Sequence, residues 1–264
     1  MSIHPTASLH PTSIVAESAS IGANCRIGPY CTVGPQVELA EDCELVSHVV
    51  LDGHTRIGAR SKIFSFAALG VAPQDLKYKN EPTRLEMGEQ NVVREYVTIS
   101  RGTAGGGGTT RVGDHCLIMA YTHIGHDSQI GNHCILANAA TLAGHVIVED
   151  YATVGALCPV HQFCRIGQHA YVGGGTTITR DVLPFSLTSA TRETHAFSLN
   201  KVGLERRGFS SEQLRKLQRA YRTLLMAKLN TTQALEKLKS EGPLTDEVRY
   251  LIAFIEASER GVIK

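Results

Sequence analysis

The sequence predicts a mainly β protein in which a parallel β-helix of hexapeptide repeats is followed by a C-terminal α-helical domain. Three observations carry this prediction: a six-residue aliphatic period, a scarcity of aromatic residues, and a change to helical spacing beyond Pro184. Of the 264 residues, 42% are hydrophobic and 19% are charged, a composition that excludes wholesale disorder. Aromatic residues make up only 6%, so the core must be filled by small and branched side chains.

A branched aliphatic residue recurs at every sixth position along most of the chain. It occupies all twelve positions of this period from residue 3 to residue 69 and, one residue out of phase, all twelve from residue 112 to residue 178. A six-residue period is not helical and indicates short strands that meet at corners. Three hexads would make a triangular coil of about 18 residues, and about nine stacked coils would form parallel strands roughly 4.8 Å apart.

The seven cysteines test this register, because each falls on the fifth position of its hexad, where the other residues are mostly small. We interpret them as inward-facing core residues and not as disulfides or metal ligands. An odd number of buried thiols favours a reducing, cytoplasmic compartment. We expect no signal peptide and no membrane span, since the sequence contains neither a basic start with an apolar region nor a long apolar run.

The β-helix is expected over residues 1–190, with loops ejected from the coil at 71–86 and 101–111. The second loop contains a glycine run at 105–108, which we read as a flexible excursion because it lacks the ending of a phosphate-binding loop. Residues 191–264 are predicted to be helical: Ser210 and Gln213 resemble a capping box, and Leu214 and Leu217 begin a helical spacing. Such a small domain should pack on the β-helix.

Histidines are concentrated in the second half of the repeats. Seven of the twelve lie between residues 115 and 169. Since residues 18 apart stack on neighbouring coils, we expect His126, His145 and His161 to converge on one patch, with His123 beside them. His133 and His169 fall elsewhere on the coil and are predicted to be structural.

This patch suits acid–base chemistry. A neutral imidazole can take a proton from a hydroxyl at neutral pH, and Asp127 can orient the ring of a histidine. Gly144 would let a backbone N–H approach a developing oxyanion. Three histidines could also bind zinc, so a metal hydratase is an alternative, and a non-catalytic scaffold is another.

Several motifs occur together and in order along the whole chain. The repeats carry His-Ile-Gly-His-Asp at 123–127, Leu-Ala-Gly-His at 142–145 and Val-His-Gln-Phe-Cys at 160–164. The first loop carries Gln-Asp-Leu-Lys-Tyr at 74–78 and Glu-Pro-Thr-Arg at 81–84, and the helical part carries Gly-Leu-Glu-Arg-Arg-Gly-Phe at 203–209. In combination they resemble the UDP-N-acetylglucosamine O-acyltransferase family.

The resemblance implies a left-handed β-helix and a homotrimer with active sites between adjacent prisms. It implies transfer of a (3R)-3-hydroxyacyl chain from acyl carrier protein to the 3-hydroxyl of UDP-N-acetylglucosamine, the first step of lipid A synthesis. No cofactor is expected, because the acyl donor is the phosphopantetheine thioester of the carrier protein. Some members of the family acylate a 3-amino sugar nucleotide, so N-acylation is an alternative reaction.

The resemblance also implies the role of each site residue. His126 would be the general base, Asp127 would orient it, and the Gly144 N–H would hold the oxyanion. Gly174 would stand where acyl length is limited and, being small, would favour a longer chain. The substrate-binding residues would be Gln74, Asp75, Lys77, His123, His145, His161, Gln162, Asn200, Arg206 and Arg207.

Basic residues are concentrated near the start of the predicted helical part. Residues 201–222 hold seven basic and two acidic residues in a nearly neutral chain, an excess that suits the acidic carrier protein. The near-zero net charge of the whole chain argues against a nucleic-acid partner.

Ser100, Val202 and the segment 190–193 depart from the family pattern. These changes touch the nucleotide and acyl ends of the substrate and leave the His126 cluster intact.

Overall fold

The computed structural model of the protein describes residues 2–190, 194–227 and 229–263. The chain forms a left-handed parallel β-helix with three flat faces, as predicted, and α-helices follow it. The strands of the first face are Ser2–Ile3, Ser20–Ile21, Val37–Leu39, His54–Ile57, Arg84–Met87, Thr109–Val112, Gln129–Ile130, Ile147–Val148 and Arg165–Ile166.

The other two faces are likewise built from one short strand per coil. The strands of the second face are Ser8–Leu9, Arg26–Ile27, Glu44–Leu45, Lys62–Ile63, Val92–Val93, Leu117–Ile118, Ile135–Leu136, Thr153–Val154, Tyr171–Val172, Ser186–Ala190 and Thr194–Leu199. The strands of the third face are Ile14–Val15, Thr32–Val33, Val50–Leu51, Ala68–Val71, Thr98–Ser100, His123–Ile124, Thr141–Leu142 and Pro159–Val160.

The aliphatic position of each hexad points inward, as the period predicts. Ile124 pairs with Leu142, and Leu142 with Val160, in parallel strands 18 residues apart. All three residues are buried, as are all seven cysteines, which form no disulfides. The core is therefore a narrow stack of one aliphatic layer per coil, sealed by small residues at its corners.

Corners between faces require an unusual backbone conformation. Twenty of the described non-glycine residues adopt φ between +52° and +65°, among them Asp127, His145 and Tyr151. A side chain at such a φ is uncommon in proteins. Here it recurs every coil at the same corner, so side chains 18 residues apart stack in columns along the edges of the prism.

Two segments leave the coil, and both are shorter than predicted. Ala68 pairs with Thr98, so this turn contains twelve more residues than the ordinary turn that pairs Val50 with Ala68. Strands resume at Arg84 and Thr109. The ejected segments are thus 72–83 and 101–108, the second with a short 3-10 helix at Ala104–Gly106. The expected ends at 86 and 111 were wrong, because the residues that directly follow each loop, 84–85 and 109–110, already pair as strands of the first face.

The C-terminal part begins with a β-hairpin and not with a helix. Ser186–Ala190 continues the second face and pairs antiparallel with Thr194–Leu199. Four helices follow in the described residues: α1 (Lys201–Arg206), α2 (Ser211–Met226), α3 (Thr231–Ser240) and α4 (Asp246–Glu256). The predicted capping box of Ser210 and Gln213 opens α2. None of the described helices is both long and apolar enough to cross a membrane.

The helices close the end of the β-helix with a second core. Leu217 and Leu251 are fully buried among helix residues together with Phe185 from the last coil. Tyr221 in α2 donates a hydrogen bond to the Pro184 carbonyl. The guanidinium of Arg165 lies 4.4 Å from the centre of the Phe254 ring. The helical part therefore packs on the prism, as its size led us to expect.

Candidate active site

Each edge of the prism carries one column of stacked residues. We call the edge between the first and second faces the first corner, with His133, Tyr151 and His169. The edge between the second and third faces is the second corner. The edge between the third and first faces is the third corner, with Asp127 and His145 on successive coils. The predicted histidine patch lies at this third corner.

Asp127 is the centre of the third corner, and its side chain is fully buried. Its Oδ2 lies 2.8 Å from Nδ1 of His126 and 3.8 Å from Nε2 of His145. Its own backbone N–H donates to Oγ1 of Thr110 at 2.8 Å. A carboxylate held in this way can fix the orientation and tautomer of the adjacent imidazole.

His126 lies directly over Gly144. A Cβ atom on Gly144 would stand 2.6 Å from Cε1 and 2.7 Å from Nε2 of His126, closer than any real contact. Only glycine therefore leaves room for the ring in this position. Within the described part of the chain, the Gly144 N–H donates no hydrogen bond, so it is free to bind a ligand.

His145 completes the group on the next coil. Its ring lies edge-on to His126, with centroids 5.1 Å apart, and stacks on Phe163 at 4.5 Å. Burial lowers the pKa of His145, while the charges of Asp127 and, further away, Asp75 oppose that shift. His145 is therefore neutral near pH 7 and can donate or accept one hydrogen bond.

His123 and His161 flank the group without joining it. Nδ1 of His123 lies 2.7 Å from Oγ1 of Thr98 on the preceding coil. Burial and then the neighbouring His126 lower the pKa of His123. His161 is exposed, and its Nδ1 lies 3.0 Å from the backbone oxygen of Gln162.

The same group of residues has the spacing of a metal site. Ligand atoms of His126, Asp127 and His145 lie within 4.8 Å of one another. The Asp127 carboxylate is already committed, however, since Oδ1 and Oδ2 each accept a hydrogen bond from Thr103 and Oδ2 also faces His126. The arrangement fits an oriented base better than an open coordination sphere.

The loop at 72–83 brings further predicted residues towards the site. Arg101 fastens it, because Nε donates to the Tyr78 hydroxyl at 2.7 Å and Nη1 donates to the Gly70 carbonyl at 2.8 Å. Asp75 acts electrostatically on His145. Gln74 and Lys77 are exposed near the tip of this loop.

The remaining predicted residues lie at other corners of the same chain. Asn200 caps α1 through Oδ1 and donates through Nδ2 to the His169 carbonyl, at the first corner. The Arg207 guanidinium lies 4.4 Å from the centre of the Tyr151 ring there, and Arg206 is exposed beside it. Gly174 is exposed near the second corner, where a Cβ would touch only the Ala156 backbone.

The three departures from the family pattern lie in different parts of the structure. Ser100 is buried in a strand of the third face, and Val202 is exposed on α1. Ala190 ends a strand, and residues 191–193 lie outside the described residues.

The sequence-based prediction missed the glycine-rich loop. Thr103 contacts Asp127 directly, and a Cβ on Gly106 would stand 2.1 Å from Asp127 Oδ2 and 2.6 Å from His145 Cε1. The loop is therefore a packed wall of the site, and our interpretation of it as a flexible excursion was wrong. The coil period could not reveal this contact, because the ejected residues are out of register with it.

Comparisons with known proteins match both the repeats and the helical part of the chain. The family model described as "Udp N-acetylglucosamine O-acyltransferase; Domain 2" matches residues 181–263, and the "Bacterial transferase hexapeptide (six repeats)" model matches 18–53 and 109–144. The acyl-[acyl-carrier-protein]–UDP-N-acetylglucosamine O-acyltransferase of Alkalilimnicola ehrlichii is 45% identical over 199 residues, which cover 75% of this chain and 77% of that protein.

Solved structures extend the similarity to nearly the full length. A UDP-N-acetylglucosamine acyltransferase from Bacteroides fragilis matches with a TM-score of 0.90 and 37% identity, covering 99% of this chain and 100% of that one. The UDP-N-acetylglucosamine acyltransferase from Campylobacter jejuni matches with a TM-score of 0.91 and 35% identity, covering 97% and 99%. The likeness includes the loops and the helical end as well as the repeats.

Proposed function

The chain belongs to the UDP-N-acetylglucosamine O-acyltransferase family, and we propose that the third corner of its β-helix performs the reaction with His126 as general base. The enzyme transfers an acyl chain from acyl carrier protein to UDP-N-acetylglucosamine. The observation that supports this assignment of the base is the contact of His126 Nδ1 with the buried Asp127 carboxylate, at 2.8 Å.

The hydrogen-bond pattern around Asp127 fixes the tautomer of His126. A carboxylate only accepts hydrogen bonds, so Nδ1 of His126 carries the proton that is shared with Oδ2. Nε2 is then unprotonated and can accept the proton of the sugar 3-hydroxyl. Asp127 also stabilises the imidazolium that forms during this transfer.

The transfer then proceeds through a tetrahedral intermediate. The sugar oxygen attacks the thioester carbonyl of the (3R)-3-hydroxyacyl donor, and the carbonyl oxygen gains negative charge beside the free N–H of Gly144. Collapse of the intermediate breaks the C–S bond, and the imidazolium returns its proton to the departing phosphopantetheine thiolate. Removing a single oxyanion donor typically costs about 3–4 kcal/mol in the barrier.

The positions of the substrate-binding residues support a homotrimer. His123, His145, His161 and Gln162 lie around the third corner, whereas Asn200, Arg206 and Arg207 lie at the first corner, on the other side of a whole face. A second copy that places its first corner against the third corner would bring the two sets together. The arginines would then bind the phosphates, and Gln74, Asp75 and Lys77 would bind the sugar nucleotide.

The acyl carrier protein would dock on the helical end. Arg215, Lys216 and Arg222 are exposed on α2, and in the described residues none of them forms an ion pair. This surface complements an acidic carrier protein and would steer its approach. Gly174 would leave room for a longer acyl chain. Seven free, buried thiols suit the cytoplasm, where lipid A synthesis would begin.

Mass spectrometry of the product tests this function. The purified protein would receive UDP-N-acetylglucosamine and its 3-amino analogue in competition, with (3R)-3-hydroxyacyl carrier proteins of several chain lengths. We expect a UDP sugar that carries one ester-linked acyl group, and its mass gives the preferred chain length. A predominantly amide-linked product would favour N-acylation, and no acyl transfer to either sugar would overturn the proposal.

A further inference from the structure

Two donors of one threonine hold the carboxylate of Asp127. The Thr103 backbone N–H donates to Oδ1 at 2.9 Å, and its hydroxyl donates to Oδ2 at 2.6 Å. Both oxygens of a fully buried carboxylate are therefore engaged by the same residue, which stands at the start of the glycine-rich loop. Because Oδ2 also faces His126, Thr103 determines the direction in which that oxygen points.

The loop around Thr103 is shaped to bring it this close. Thr103 precedes the 3-10 helix Ala104–Gly106, and its carbonyl accepts hydrogen bonds from the N–H groups of Gly106 and Gly108 at 3.1 and 2.8 Å. A side chain on Gly106 would collide with Asp127 and His145, whereas nothing lies within 4 Å of a Cβ on Gly105. Glycine is thus required at 106 by close approach to the site and not by loop flexibility.

We propose that Thr103 is a positioning residue for acyl transfer, acting through Asp127 on His126. Without the Thr103 hydroxyl, Oδ2 of Asp127 accepts one hydrogen bond fewer, and the carboxylate can rotate away from Nδ1 of His126. The imidazole then loses its fixed orientation, and the sugar hydroxyl meets a correctly placed Nε2 less often. This inference rests on the proposed role of His126 and assigns a function to a loop that the coil repeat does not contain.

The matched variants are Thr103→Val, which removes the hydroxyl and keeps the shape, and Thr103→Ser, which keeps the hydroxyl. Thr153→Val, on the second face, is the control for the same substitution away from the site. We expect Thr103→Val to lower kcat about 10- to 100-fold, with KM for UDP-N-acetylglucosamine changed less than about twofold. Thr103→Ser should retain kcat within about threefold, and Thr153→Val should match the wild type.

The split between kcat and KM and the rescue by serine separate positioning from a general loss of structure. A loss of folded enzyme would lower activity in Thr103→Val and Thr103→Ser alike, whereas a misoriented His126 lowers kcat only where the hydroxyl is missing.

The variant His126→Ala separates a failure of the assignment of the base from a failure of the positioning role of Thr103. If that variant keeps its activity, the assignment of the base fails, whatever Thr103 does. If His126→Ala is inactive while Thr103→Val keeps the wild-type kcat, only the positioning role is overturned. Equal losses in Thr103→Val and Thr103→Ser also overturn it, because the hydroxyl is then not the cause. Should Thr103→Val fail to fold, Thr103→Ala against Thr103→Ser makes the same comparison.

Discussion

The first and third corners of this β-helix use the same backbone device for different purposes. Both stack side chains at positive φ on successive coils, His133 and Tyr151 at the first corner and Asp127 and His145 at the third. At the first corner His133 lies flat on Tyr151, with an interplanar angle of 2° and centroids 4.7 Å apart. At the third corner His145 stands at 86° to His126, and both rings face the Asp127 carboxylate. The two corners thus differ in what their histidines face, which is an aromatic ring at the first corner and a buried carboxylate at the third.

The largest expected difference between the corners is in catalysis. His126→Ala should lower kcat by about 10²–10⁴-fold, because it removes the general base. His133→Ala should leave kcat unchanged and cost about 1 kcal/mol of stability through lost stacking. Steady-state kinetics and urea unfolding of both variants check this. A His126→Ala enzyme within tenfold of wild type would contradict the assignment.

A second difference is that the glycine-rich loop covers the third corner. Gly106→Ala would put a methyl group 2.1 Å from Asp127 Oδ2, and the displaced carboxylate should reduce kcat by about 10²-fold. Gly105→Ala, one residue earlier, meets no atom within 4 Å and should behave as wild type. Similar kinetics for the two variants would show that the loop does not press on the site.

The smallest expected effect concerns the stability of the first corner at low pH. His169 is 7% exposed, and burial, with Arg207 nearby, lowers its pKa to about 4. The unfolded chain binds this proton below about pH 6.5. Its contribution, about 2–3 kcal/mol, should therefore be complete above pH 6.5 and be lost as pH falls towards 4.

His169→Phe keeps the stacking with Tyr151 and cannot titrate. Its free energy of unfolding should fall less than that of wild type between pH 7 and pH 4.5, measured by urea unfolding at one protein concentration. Equal pH dependence in the two proteins would mean that other groups cause the loss.

The sequence was sufficient to predict the positions of residues in the repeated coils, and it was insufficient for residues in the loops between them. The six-residue period predicts which residues face the core, and the 18-residue coil places His145 beside His126 and Asp127, as the structure shows. The 18-residue period does not apply to residues in the ejected loops. The contacts of Thr103 and Gly106 with Asp127 depend on the path of an irregular loop, which hexad counting cannot supply.

The helical end shows the same limit. The capping box of Ser210 follows from local sequence, and it is present. The β-hairpin before α1 was missed because its second strand pairs, among the described residues, with Ser186–Ala190, which itself extends the second face. The separation of Arg207 from the third corner could not be predicted either, since it depends on where a helix docks on the prism.

The most direct test of the account is complementation between the two corners. His126→Ala, altered at the third corner, and a double variant of Arg206→Ala and Arg207→Ala, altered near the first, would be co-expressed with different tags. Mixed oligomers would be isolated through both tags. Each variant alone should be inactive, and the mixed trimers should show about a third of wild-type activity, because one of the three shared sites in every mixed trimer is built from two unaltered corners. Mixed oligomers as inactive as the separate variants would contradict a site built from two copies.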